Sequence, residues 1–284
     1  MGVDIVVRTK DRPAFLARAL DDVLAQTVED WTVVLVNDGG HPDPVDAAVA
    51  RRPALDGRVR VVHLPVSLGR GGALNRGIDA CRSSLLAWHD DDDTWHPDFL
   101  ARTVSHLNTH DHVAVAVRTE IVWERLEGDQ YVELDREIFH PRMIEPTYFD
   151  QLRFNHIVPI ALLYRRAMHD AVGPVDIRLR SVSDWDIYLR LWRAGEVGFI
   201  DEVLAYWHQR PDESGTAGNS VIAEHDSHIL HDRRVRDHAL RDHAHDGDLL
   251  HLTNFIDERF GELNARLDRL ESGYAQARRR SPSR

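Results

Sequence analysis

Along the first third of the chain, short and nearly unbroken apolar runs alternate with stretches in which apolar residues recur every three or four positions. The runs at Val3–Thr9 (VDIVVRT), 31–36, 58–64 and 85–89 read as strands covered on both faces. Between the first two, Asp11-Arg12-Pro13 opens a helix whose stripe is Phe15, Leu16, Ala19, Leu20, Val23 and Leu24. Asp43-Pro44 starts a short helix, and Gly69 to Gly77 leads into another through Ile78 and Cys81. Pro97, with Asp98 behind it, begins a helix carrying Phe99, Leu100, Val104 and Leu107. Strands alternating with helices predict an α/β fold with a doubly wound, mostly parallel sheet and right-handed crossovers.

Beyond residue 110 the pattern changes. Residues 112–118 alternate, and 121–123 and 131–134 flank Glu127-Gly128-Asp129 as a hairpin. Residues 155–165 read as a strand region broken by Pro159, and 181–195 as a helix with Ser183 as N-cap and Gly195 as stop. Two short strands are expected at 197–200 and 203–207. The polar stretch 210–220 is either a lid or a surface loop. His225, His228 and His231 lie three apart on an expected helix, a spacing that can hold a metal but that, without carboxylates fixed around it, reads better as a solvated helical face. From Leu249, the positions Leu252, Ile256, Leu263, Leu267, Leu270 and Tyr274 step by threes and fours with charges between them. That spacing predicts a short coiled coil and a homo-oligomer, or else a helix folded back on its own domain. The expected organisation is a sheet domain over 1–208, a loop and helical segment over 209–248, and an amphipathic helix over 249–280.

The chemistry concentrates at the strand ends. Four consecutive aspartates, Asp90 to Asp93, follow the fourth strand. Adjacent carboxylates raise one another's pKa unless cations or donors compensate, so packing does not explain the run. Alone it reads as a solvated acidic turn or as a site for Mg²⁺ or Mn²⁺, which take one or two carboxylates and complete their shells with water and phosphate. The parallel sheet brings Thr9-Lys10-Asp11, Asp38 and Asp90–Asp93 to one edge, where open α/β sheets bind ligands. That convergence favours a metal–phosphate site. A second carboxylate cluster, Asp184 and Asp186, sits at a helix start, where capping alone could also place it.

Two nucleotide motifs are missing from their required places: no glycine-rich turn follows the first strand, and no GxxxxGK[ST] occurs. A net charge of −12 over 284 residues argues against nucleic acid as partner. The single cysteine, Cys81, excludes a disulfide framework. With Val3 already in a strand and no apolar run of spanning length, a cytoplasmic protein without a membrane span is expected.

Taken in order, five blocks resemble family 2 glycosyltransferases of the GT-A fold: Arg8-Thr9-Lys10-Asp11-Arg12-Pro13, Asn37-Asp38-Gly39-Gly40, Ala73-Leu74-Asn75-Arg76-Gly77 after Gly69, His89 to Asp98 with its D-x-D, and Ser183-Asp184-Trp185-Asp186. The resemblance spans roughly Val3 to His208. It implies a nucleotide-binding half over 1–110 and an acceptor half over 111–208. It implies transfer of a sugar from a UDP-, GDP- or dTDP-sugar to a hydroxyl of a saccharide or other small acceptor, with inversion and with Mn²⁺ or Mg²⁺. The donor would be held by Thr9, Asp11, Arg12, Asp38, Arg70, Asn75, Asp90 and Asp91. The metal would be held by Asp92, Asp90 and His208, with Arg210 in the register of a family histidine, and Asp184 would be the general base. The residues also leave open a sugar nucleotidyltransferase or a non-catalytic sugar-nucleotide-binding module.

Overall fold

In the computed structural model, which describes residues 2–127, 130–213, 218, 225–242, 256–257, 259–267 and 269–270, the apolar runs become the centre of one mixed sheet. Strands β1 (Val3–Thr9), β2 (Trp31–Asn37), β3 (Val59–His63) and β4 (Leu85–Asp90) are parallel, with β1 between β2 and β4. Val3, Ile5, Val6 and Val7 are wholly buried because helices cover both faces. Helix α1 (Pro13–Leu24) buries Phe15, Leu16, Ala19, Leu20 and Val23 as the periodicity predicts. Helices α2 (Pro42–Ala50) and α3 (Gly69–Ala80) complete the parallel half.

Past β4 the short strand β5 (Thr94–Trp95) intervenes, and helix α4 (Phe99–Thr109) starts after it, two residues beyond Pro97. Trp95 is fully inside and donates its indole N–H to the Ile160 carbonyl at 2.7 Å. That anchor turns the chain before the helix can begin.

The second half is more extended than its sequence suggests. Strand β6 runs from Ala114 to Glu127 without a break and pairs antiparallel with β7 (Gln130–Ile138), so the expected hairpin forms, though its turn residues 128–129 lie outside the described residues. After α5 (Tyr148–Arg153), Pro159 places a short 3-10 turn ahead of β8 (Leu162–Arg165), which leaves only four of the expected strand residues. Helices α6 (Arg166–Val172) and α7 (Ser183–Ala194) follow. The two strands expected at 197–200 and 203–207 are one, β9 (Val197–Gln209). It pairs parallel with β6 and absorbs the polar Asp201-Glu202 step in register shifts around Arg118. The sheet order is β3-β2-β1-β4-β8-β6-β9-β5, with β7 on β6.

Residues 2–233 form the unit that holds this sheet, and 234–284 belong to a second unit. In the second unit Phe260, Leu263, Leu267 and Leu270 are helical and exposed. Leu249, Leu252 and Tyr274 of the expected heptads, and most of the expected lid, lie outside the described residues. Among the described residues no helix is long and apolar enough to cross a membrane.

Gly77 sets how closely α3 approaches the sheet. A Cβ there would fall 2.4 Å from Val6 Cγ1 and 3.1 Å from Val36 Cγ2. Gly77→Ala should therefore lower stability by about 1–3 kcal/mol through overpacking, despite alanine's better helix propensity. Urea denaturation of the two proteins measures it.

Candidate active site

The parallel register sets Arg8 beside Asp90 and Thr9 beside Asn37, so the acidic ends of β1, β2 and β4 meet at one edge. The turn after β2 depends on Gly39, at φ 72°, where a Cβ would meet the Ser67 nitrogen at 2.4 Å. Asp38 is spent on the next element. Its carboxylate accepts from the Leu68 N–H at 2.6 Å, the Ser67 hydroxyl at 2.7 Å and the Gly69 N–H at 3.1 Å, which fixes the start of α3. Asp11, in the left-handed region at φ 53°, accepts from the His41 N–H at 2.9 Å and ties the first loop to the second. Asn75 gives both ends of its amide to the Val175 backbone, at 2.9 and 3.0 Å, and Arg70 donates to the Arg180 carbonyl at 2.9 Å. These residues hold the α3 side of the edge to the loop before α7.

The aspartate run is met by arginines. Arg8 pairs with Asp90, and one Arg12 nitrogen lies 2.8 Å from both Asp91 and Asp92. Arg210 reaches Asp92 at 2.5 Å and Glu124 at 2.6 Å, and Arg18 reaches Glu124 at 2.9 Å and also the Asp92 carbonyl. Phe15 receives Arg12 at 4.4 Å and Arg210 at 4.5 Å from its ring centre, so one aromatic ring steadies both guanidiniums. Burial alone would raise Asp92, but Arg12 and Arg210 outweigh it and hold the carboxyl below its ordinary range. Burial lifts Asp91 to about 7, against Arg12, and lifts Asp93 well above the usual value, helped by Asp92 and Asp90.

His208 is fully engaged by the protein. Nδ1 meets Glu124 at 2.8 Å and Nε2 meets Thr94 Oγ1 at 2.9 Å, so the imidazole buttresses the network and offers no nitrogen to a metal as it stands. The remaining carboxylates do fit a divalent cation. Asp91 Oδ2 is buried with no hydrogen-bond partner, beside Asp90 and Asp92. Among the described residues no three His, Cys, Asp or Glu side chains form a ready-made cage. A hard ion takes one or two carboxylates and completes its shell with water and phosphate oxygens.

Asp184 lies in the first turn of α7, half-buried, within electrostatic reach of Asp90 and Arg8. Asn155 donates to its Oδ2 at 2.9 Å. Burial raises its pKa, and the Asn155 amide partly opposes the rise. The cap of α7 is Val182, at φ 54°, rather than Ser183, which is already inside the helix. Asp186 pairs with Arg190 at 2.7 Å along the same helix. Glu124 and Arg18 had no sequence signal: both sit in ordinary amphipathic patterns, and only the sheet brings them to Asp92.

With this geometry in view, the comparisons with known proteins are decisive at the family level. The model for glycosyl transferase family 2 matches residues 4–173. The chain belongs to that family. A Bacillus subtilis protein described as an uncharacterized glycosyltransferase, YwdF, is 30% identical over 223 residues, covering 77% of this chain and 79% of that one. A PGL/p-HBAD biosynthesis glycosyltransferase of Mycobacterium tuberculosis is 29% identical, covering 77% and 79%. Among solved structures, S. aureus TarS in complex with UDP-GlcNAc superposes with a TM-score of 0.60 at 16% identity, covering 79% of this chain and 64% of that one. The mannosyltransferase PcManGT from Pyrobaculum calidifontis, in complex with GDP-Man and Mn²⁺, gives a TM-score of 0.53 at 16% identity, covering 72% and 56%. The fold is the mixed α/β fold of these glycosyltransferases, and the chain is a transferase. The nucleotidyltransferase and non-catalytic alternatives fall away.

Glu124 joins the acidic run to two arginines and a histidine. Burial would raise its carboxyl, yet the hydrogen bonds from His208 and Arg18 hold it at about 2, against an ordinary 4.5. The stability this provides is complete above pH 4.5 and is lost as the pH falls toward 2. Glu124→Gln should cost about 3 kcal/mol at neutral pH, because it strands buried charges. Denaturant titrations at several pH values should show the difference from the unaltered protein shrinking in acid.

Proposed function

We propose that the chain transfers a sugar from a nucleotide-sugar to an acceptor hydroxyl in a single displacement with inversion. Support for the donor comes from the UDP-GlcNAc and GDP-Man complexes of the structural neighbours and from the acidic edge built by β1, β2 and β4. The observation that carries the mechanism is Asp184, a half-buried carboxylate whose pKa is raised, held by Asn155 within range of Asp90.

In this reading Arg8, Arg12 and Arg210 balance the aspartates until the donor brings its diphosphate, and then share their charge with it. Asp90, Asp91 and Asp92 are the residues to hold Mn²⁺ or Mg²⁺. The chemistry such an ion supplies when bound is charge compensation at the departing diphosphate. Asp184 takes the proton from the acceptor hydroxyl, and the freed oxygen lone pair forms the new bond to the anomeric carbon. The bond from that carbon to the diphosphate breaks, and the diphosphate leaves with the electron pair. Attack opposite the leaving group inverts the centre.

Asp184→Asn keeps size and hydrogen bonding but cannot take a proton, so turnover should fall about 10²–10⁴-fold while calorimetry shows nucleotide-sugar binding retained. Unimpaired transfer by the folded variant would remove Asp184 from the base role. Because the base must be ionised, Asn155→Ala should move the acid limb of kcat to higher pH by withdrawing a donor from the carboxylate. A purely structural Asn155 would change yield or stability and leave the limb in place.

We also propose that the exposed Leu263 and Leu267 pair with a second copy of this chain in a short coiled coil. Light scattering should then give fewer subunits for Leu263→Glu with Leu267→Glu than for the unaltered protein.

A further inference from the structure

Glu124 lies near the end of β6 and is only 3% exposed. The ladder between β6 and β7 shifts register between Trp123 and Glu124, and a bulge of this kind re-aims a side chain. The carboxylate ends among arginines. Oε1 accepts from Arg210 at 2.6 Å, and Oε2 accepts from Arg18 at 2.9 Å and meets His208 Nδ1 at 2.8 Å.

The same two arginines hold Asp92. Arg210 reaches its Oδ2 at 2.5 Å, and Arg18 donates to its backbone carbonyl. Arg12 lies 2.8 Å from that Oδ2 as well. Two stacked rings, Phe15 and Tyr131 at 4.8 Å between centroids, lie against these guanidiniums. Phe15 receives Arg12 and Arg210, and Tyr131 receives Arg18 at 5.2 Å and Arg210 at 5.9 Å. Arg210 is wholly buried, so charges here are only weakly screened by water.

Stability does not account for Glu124. A buried cluster of charges adds little to folding, and an apolar side chain could fill the same place in a strand. Three guanidiniums around Asp92 already carry the positive charge that a diphosphate seeks, and arginines bind phosphate oxygens well without a metal. Glu124, ionised throughout the neutral range, takes two of those guanidiniums for itself.

We propose that Glu124 is the positioning residue that makes the donor site depend on a divalent cation. It holds Arg18 and Arg210, cancels part of their charge and so leaves Asp92 attractive to Mn²⁺ or Mg²⁺. Without it the edge gains one positive charge, which repels the ion and attracts the diphosphate. This role rests on Asp90 to Asp92 being the cation's ligands.

Two probes read the site separately on the full chain: Mn²⁺ by electron paramagnetic resonance, and metal-free inorganic pyrophosphate by calorimetry. Asp92→Asn marks the Mn²⁺ that binds at the acidic edge. Glu124→Gln should weaken that Mn²⁺ about tenfold and tighten pyrophosphate about tenfold. Arg18→Gln, at a side chain 24% exposed, should do the opposite. With both substitutions the charge balance returns, and both affinities should return toward those of the unaltered protein. A merely structural Glu124 would weaken both ligands when replaced, and the second substitution would weaken them further. That result, or unchanged Mn²⁺ binding in Glu124→Gln, overturns the role. Should circular dichroism show that Glu124→Gln does not fold, the opposed shifts in Arg18→Gln decide alone. If Asp92→Asn binds Mn²⁺ as the unaltered protein does, the aspartates are not the ligands and the role falls with them, so the two failures are distinguishable.

Discussion

The acidic edge exists only because arginines from distant parts of the chain are brought to it. Arg8 leaves β1, Arg12 and Arg18 flank the start of α1, and Arg210 follows the end of β9. Each meets a carboxylate of Asp90 to Asp92 or Glu124. A buried ion pair is costly to desolvate, and breaking one partner is costlier than forming the pair. The network therefore fixes relative position more than it adds stability. It locks the first loop, the aspartate turn and the last strand to one another, and the site inherits that register.

The same constraint explains what could be read in advance. The parallel half was legible because strands covered on both faces must be apolar runs and α1 must show one buried stripe. The second half was harder. Strand β9 crosses Asp201-Glu202 by shifting register against β6, so a polar step that looks like a turn is only a bulge. The two-residue β5 has no periodicity, and it exists because Trp95 finds the Ile160 carbonyl. In the site, the aspartate run stood out because its residue type is wrong for a strand end. Asp184, an ordinary residue for a helix start, stood out only through the family resemblance. Glu124 and Arg18 did not, since a carboxylate in an alternating strand and an arginine on a helix are ordinary until a sheet joins them. His208 was read as a possible ligand by its place in the chain. Its two nitrogens belong instead to Glu124 and Thr94.

The proposed chemistry divides along the topology. The parallel strands supply the acidic edge, and the loops tied to α3 frame it. Asp184, the proposed base, stands on α7, which is pinned to α5 by the Trp185–Gln151 hydrogen bond.

Val182 sets the start of α7, and so the place of Asp184, at a price. A β-branched residue at φ 54° is strained by about 1–3 kcal/mol, and glycine would relieve it. Glycine would also free the peptide that aims the first turn of α7, two residues before Asp184. An effort to make this enzyme more heat-resistant by relaxing its backbone would meet its trade-off here, gaining melting temperature while blurring the aim of the carboxylate. The strained valine marks a position that thermostabilising design should leave alone.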